Sequence, residues 1–169
     1  MKTILIPTDF TSASLQTIEE TIRFFRPDPV NIILFHAFEM PGSLQDIVGP
    51  GSRPHMQVMS ERFRRGCKRI KDKYGPVVYN IVFRPLYGNT VRVFRNYLEF
   101  NKVDVIIYPS NQMVQPVHER SVSPDQMIKK CGYTVISSMA VEKAANVASL
   151  IDAQGNLVLN GLAAAPINQ

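Results

Sequence analysis

Five short apolar runs, at 3–7, 30–36, 77–83, 103–108 and 133–137, constrain this chain more than any other feature. The stretches between them space their apolar residues by three and four positions. The second run is apolar nearly throughout, with Val30, Ile32, Ile33, Leu34 and Phe35, as in a strand covered on both faces. After the first run, Leu15, Ile18, Ile22 and Phe25 mark one face of a helix. Thr11 or Ser12 is placed to cap that helix, and Pro27 and Pro29 forbid its continuation. Met56, Met59, Phe63, Cys67, Ile70 and Tyr74 predict a second helix, ended by Gly75-Pro76. Val91, Phe94, Tyr97 and Leu98 predict a third. A short fourth begins at Ser123-Pro124, with Gln126 as reciprocal cap, and stops at Gly132. Strands alternating with helices imply a five-stranded parallel sheet covered on both faces, a three-layer α/β fold.

The tail breaks this rhythm. Residues 147–151 and 157–159, around a turn at 152–156, predict a β-hairpin, and the last residues predict a frayed end. An isolated hairpin is marginal in water, so it must pack on the domain or on another subunit. The expected organisation is therefore an α/β domain over 1–141 and a tail over 142–169. The 40–54 segment, rich in glycine and proline, reads as a long loop.

Composition excludes several classes. A chain of 169 residues, 45% hydrophobic and 20% charged, is that of an ordinary globular domain. No apolar run approaches the ~20 residues of a membrane span, and the opening is shorter than the ~7–15-residue core of a signal peptide. A cytoplasmic protein without membrane association is expected. Cys67 and Cys131 sit among apolar neighbours and read as small buried hydrophobes. His36, His55 and His118 are too dispersed for a metal site. The formal net charge of +5 concentrates at 62–73. Because aromatic residues there follow the buried face, this reads as a solvated helix face rather than a nucleic-acid surface.

In open parallel sheets, ligands sit beyond the carboxyl ends of the strands where strand order reverses. Two hydroxyl-rich loops are candidates. One carries Pro7, Thr8, Asp9, Thr11, Ser12 and Ser14; the other carries Ser110, Asn111, Arg120, Ser121, Val122 and Ser123. Both precede helices, whose free N–H groups suit an anion or a polar ring edge. Between Pro109 and Cys131 there is no glycine, and glycine is what lets backbone close around a phosphate.

These residues, in this order, resemble the universal stress protein family. The matching features are a first strand ending in an aspartate before a hydroxyl-rich turn (Ile4-Leu5-Ile6-Pro7-Thr8-Asp9), a second ending in Phe35-His36, and Gly88 before a helix. The fourth strand (Val103 to Tyr108) and the Ser121 segment leading into the fifth also match, so the resemblance covers about residues 2–138. It implies strand order 3-2-1-4-5, a homodimer and a role in stress response. It places a ligand, if one binds, among Pro7, Thr8, Asp9, Phe35 and His36 on one side and Ser110, Arg120, Ser121 and Val122 on the other. ATP-binding members carry G-x2-G-x9-G-(S/T) after the fourth strand. Pro109, Gln112 and Arg120 stand at those three glycines, and only Ser121 fits. Asp9 and Ser121 carry over as nucleotide contacts, while the glycine cradle does not.

No nucleophile–base set or paired carboxylates point to an enzyme. A receiver domain would need a carboxylate and a lysine where Phe83-Arg84 and Ser137-Ser138 stand. Two readings stay open. One is a non-catalytic, homodimeric stress-response protein that acts through protein contacts, needs no cofactor and does not bind ATP tightly. The alternative is a nucleotide (ATP or AMP) module with an altered phosphate loop, with or without slow hydrolysis. The apolar fifth strand (Val135-Ile136) at a sheet edge favours a homodimer, since an uncovered edge is a pairing hazard.

Overall fold

Alternation along the first strand sets the architecture. In β1 (Lys2–Pro7), Ile4 and Ile6 enter one core cluster and Leu5 enters another. In β2 (Val30–Phe35), Val30, Ile32 and Leu34 join the first, and Ile33 and Phe35 the second. Successive strand residues point to opposite faces, so both faces of the sheet must be covered. The computed structural model describes residues 1–43, 54–109 and 114–149.

α1 (Ser12–Phe25) is capped by Thr11, whose hydroxyl accepts from the Ser14 N–H. α2 (Glu61–Tyr74) is capped by Ser60. Its start lies later than the Met56 periodicity predicts. Met56 ends a 3-10 turn (Pro54–Met56) and is exposed. Serine at 60 supplies the acceptor that a helix begun at 56 would lack. The two helices approach closely at Gly66, where a Cβ would fall 2.5 Å from Leu15 Cδ1.

The remaining main-sheet strands are β4 (Val78–Phe83), β6 (Val105–Tyr108) and β8 (Val135–Ser137). The sheet order is β4-β2-β1-β6-β8, all parallel, which is the expected 3-2-1-4-5. α3 (Val91–Phe100) and α4 (Asp125–Lys130) cover the second face, through Phe94, Leu98, Met127 and Ile128. α4 starts one residue later than predicted. Its Asp125 N–H is met by the Ser123 hydroxyl at 3.4 Å, and no glutamine cap forms.

Two features depart from the sequence reading. Residues 138–149 form a helix, α5 (Ser138–Ser149), where the first hairpin strand was expected to begin at 147. Val141 and Ala145, one turn apart, are buried, and α5 packs beside α1. The 141 boundary therefore falls inside a helix. The rest of the expected hairpin lies outside the described residues. The second departure is a small sheet at the carboxyl end of the large one. β3 (Ala37–Phe38) pairs in parallel with β5 (Leu86–Tyr87) and antiparallel with β7 (Ser121–Val122).

Candidate functional site

The site lies where β1 and β6 end, beneath this small sheet. β1 gives way to Thr8, Asp9 and Phe10. Thr8 is fully buried, and its hydroxyl accepts the Phe10 N–H at 3.0 Å. Phe10 takes φ = 59°, a costly region for a bulky residue. Its ring packs edge-on against Phe63 and Phe83, with centroids at 5.4 and 5.0 Å. That packing fixes the turn and aims Asp9 across the helix start.

Asp9 is half-buried, and its carboxylate is tied to the helix start. One carboxylate oxygen accepts from the Thr11 hydroxyl at 2.6 Å, the Ser14 hydroxyl at 2.8 Å and the Thr11 N–H at 3.3 Å. Burial acts to raise its pKa, but the hydrogen bonds from Thr11, Ser14 and the Gln115 backbone prevail, so the carboxyl titrates below its ordinary 3.8. Asp9 is an anion holding its own turn together.

His36 continues β2 into β3 and is only 3% exposed. Nδ1 lies 2.7 Å from the Thr8 carbonyl oxygen, and Nε2 lies 2.9 Å from Ser121 Oγ. A carbonyl can only accept, so Nδ1 carries the proton. Burial lowers the pKa, partly offset by the Thr8 carbonyl and the Asp9 charge, and favours the neutral ring. Nε2 is then an acceptor and takes the Ser121 hydroxyl proton. Ser121 Oγ in turn accepts the backbone N–H groups of Val117 at 3.1 Å and His118 at 3.0 Å. A hydroxyl has one proton and two lone pairs, and here all three are committed. Ser121 is a latch joining the segment before β7 to the end of β2.

The other expected site residues separate into groups. Pro7 ends β1 and borders a cleft with Asp9, Ala13, Ser14, Thr17, Pro109 and Val114. That cleft has a cavity volume of only about 20 Å³, far short of the ~300–1,000 Å³ of most small-molecule sites. Phe35 is fully buried, with its ring 5.5 Å from Phe94 and 6.1 Å from Tyr97, and belongs to the core. Val122 pairs with Ala37 and packs on the same core. Arg120 is turned onto β3: its backbone carbonyl accepts the Glu39 N–H at 2.9 Å, and its guanidinium reaches the Glu39 carbonyl at 3.4 Å. Ser110, Asn111 and Gln112 lie outside the described residues.

Sequence reasoning missed the mutual bonding of His36 and Ser121, which stand 85 residues apart. It also missed a second cleft, of about 130 Å³, between α1 and α5, bordered by Thr17, Glu20, Pro109, Ser138 and Glu142. Glu20 there is held above its ordinary carboxylate value by burial, with the Glu142 charge adding to the effect. Among the described residues no buried side-chain nitrogen or oxygen lacks a partner, and no cluster of three or more His, Cys, Asp or Glu could hold a metal. No described helix is long and apolar enough to cross a membrane.

No protein-family model matches the sequence, and no curated protein matches it. Solved structures do. Hypothetical protein PH0823 matches at 18% identity and TM-score 0.51, over 80% of this chain and 94% of that one. Universal stress protein UspA from Lactobacillus plantarum matches at 13% identity and TM-score 0.51, over 80% and 96%. Hypothetical protein MJ0577 matches at 21% identity and TM-score 0.50, over 80% and 94%. At these identities the likeness is one of fold.

Proposed function

From the premise that this chain has the universal stress protein fold, we propose that it is a non-catalytic protein of that kind, serving in stress response through contacts with other proteins. It requires no cofactor and does not bind ATP tightly. The observation that carries this reading is the saturation of Ser121. The one position that fits the family's phosphate-loop hydroxyl spends its proton on His36 and both lone pairs on backbone amides. Asp9, the other residue carried over, is likewise engaged by Thr11 and Ser14. A triphosphate would have to displace bonds already made, without glycines to bring backbone in their place.

The proposal extends to a cytoplasmic homodimer. β8 forms an edge of the large sheet, and its Val135 is 40% exposed. Apolar side chains on an open edge favour pairing with a second copy.

Titration calorimetry with ATP and magnesium tests the reading. Negligible heat is expected with protein at tens of micromolar. Micromolar binding that Asp9→Ala abolishes would overturn it and establish the alternative, a nucleotide module with a rebuilt phosphate loop.

A further inference from the structure

The whole charge surplus of the chain sits on one helix. α2 carries seven lysines and arginines against Glu61 and Asp72, a surplus of five, and the formal net charge of the chain is also +5. A solvated helix face would account for the charge alone. It does not account for what lies beside it. Between α2 and edge strand β4 runs a groove of about 330 Å³, floored by Met59, Cys67, Ile81 and Phe83 with Leu34 at its base. Ile81 and Phe83 are only half-buried there, because α2 does not cover them fully. Along the rim stand Arg64, Lys68 and Lys71, one helical side at spacings of four and three. All three are exposed, and among the described residues none makes an ion pair. Lys68 also borders the adjoining outer face with Arg62, Arg65, Arg69 and Asp72, four cations to one carboxylate, so the positive surface extends around the helix.

We propose that this groove docks an acidic segment of a partner protein, with one large apolar side chain seated between α2 and β4 and carboxylates lying on Arg64, Lys68 and Lys71. Two properties select this occupant. An apolar floor rewards a hydrophobic anchor, and three exposed cations on one rim reward a run of carboxylates and steer its approach. A bilayer is flat and cannot reach a concave floor. Nucleic acid would satisfy the cations and leave the floor unused. A single fatty acid would bring one carboxylate to three cations. The inference rests on the reading that the protein works by contact, but it concerns a surface away from the β1–β6 cleft, so ATP calorimetry and the experiment below fail independently.

The test selects a phage-displayed library of random 12-residue peptides on the full chain, then measures the winners as synthetic peptides by fluorescence anisotropy. Enriched sequences should carry several Asp or Glu around a Leu, Met or aromatic residue. The double variant K68E/K71E, both changes on exposed positions, should weaken the best peptide by about tenfold or more, by loss of two pairs and gain of repulsion. Alanine in place of the peptide's anchor should cost about tenfold as well, a change that leaves the protein's own folding untouched. Matching melting curves for wild type and K68E/K71E exclude misfolding. No enrichment, enrichment of sequences without acids, or affinity unchanged in K68E/K71E would overturn the proposal. So would duplex DNA or phosphatidylserine vesicles displacing the peptide at lower concentration than the unlabelled peptide itself.

Discussion

Replacing Ser121 with alanine removes three hydrogen bonds in one step: to His36 Nε2 at 2.9 Å, and from Val117 and His118 N–H at 3.1 and 3.0 Å. The losses are unequal. Val117 and His118 are half-buried, so water can reach their freed amides in part. His36 is 3% exposed, and its Nε2 would be left as a buried acceptor without a donor. With ~0.5–1.5 kcal/mol for each of the two bonds re-made to water and ~1–3 kcal/mol for the stranded buried group, the change should cost about 2–6 kcal/mol. For a domain of this size that lowers Tm by about 4–24 °C. Urea unfolding measures the energy, and hydrogen exchange at the Val117 and His118 amides locates it; both amides should exchange faster. Ser121→Thr, which keeps the hydroxyl, should stay within about 1 kcal/mol of wild type. If Ser121 were instead held in reserve for a ligand, alanine would be nearly silent in the free protein. A cost below about 0.5 kcal/mol with unchanged exchange at both amides would refute the latch.

The same network makes stability acid-sensitive. Burial keeps His36 neutral in the fold, below its ordinary 6.5, so the unfolded chain binds the extra proton. Its contribution is complete above that value and drains away as pH falls through the folded pKa. Asp9, held below 3.8, adds a second loss at lower pH. Urea midpoints measured from about pH 7.5 to 5 should fall in wild type and flatten in His36→Gln; a flat wild-type profile would contradict the burial argument. Cys67 has its thiol pushed up to about 11 by burial, so at pH 8 iodoacetamide should alkylate it about a hundredfold more slowly than an ordinary exposed thiol. Mass spectrometry showing rapid native labelling at Cys67 would disprove this.

The large sheet was legible because its strands are written twice, once in their apolar content and once in the helical spacing between them. Ile4 and Ile6 against Leu5, and Val105 and Ile107 against Ile106, split between the two faces as period two demands. The small sheet was not legible. β3, β5 and β7 are two residues each, too short to show any period. α5 was misread because the β-branched residues near 150 outweighed a weak helical signal. Its buried contacts come from Val141 and Ala145, and a small alanine leaves little trace in a hydrophobic pattern. At the site, Thr11 as helix cap was local and could be read. The His36–Ser121 contact depends on where two distant segments meet, which no local spacing encodes.

The chain leaves β6 beside β1, and by Ser121 it is paired with Phe38, on the β1 side of β2's extension, with β5 on the other. β7 therefore stands over the carboxyl end of β1, and from there the chain turns to β8. That route works like a seat belt buckled at Ser121. A guest seeking the crevice would wait on the buckle, so its association rate would level off at high guest concentration, set by how often His36 lets go.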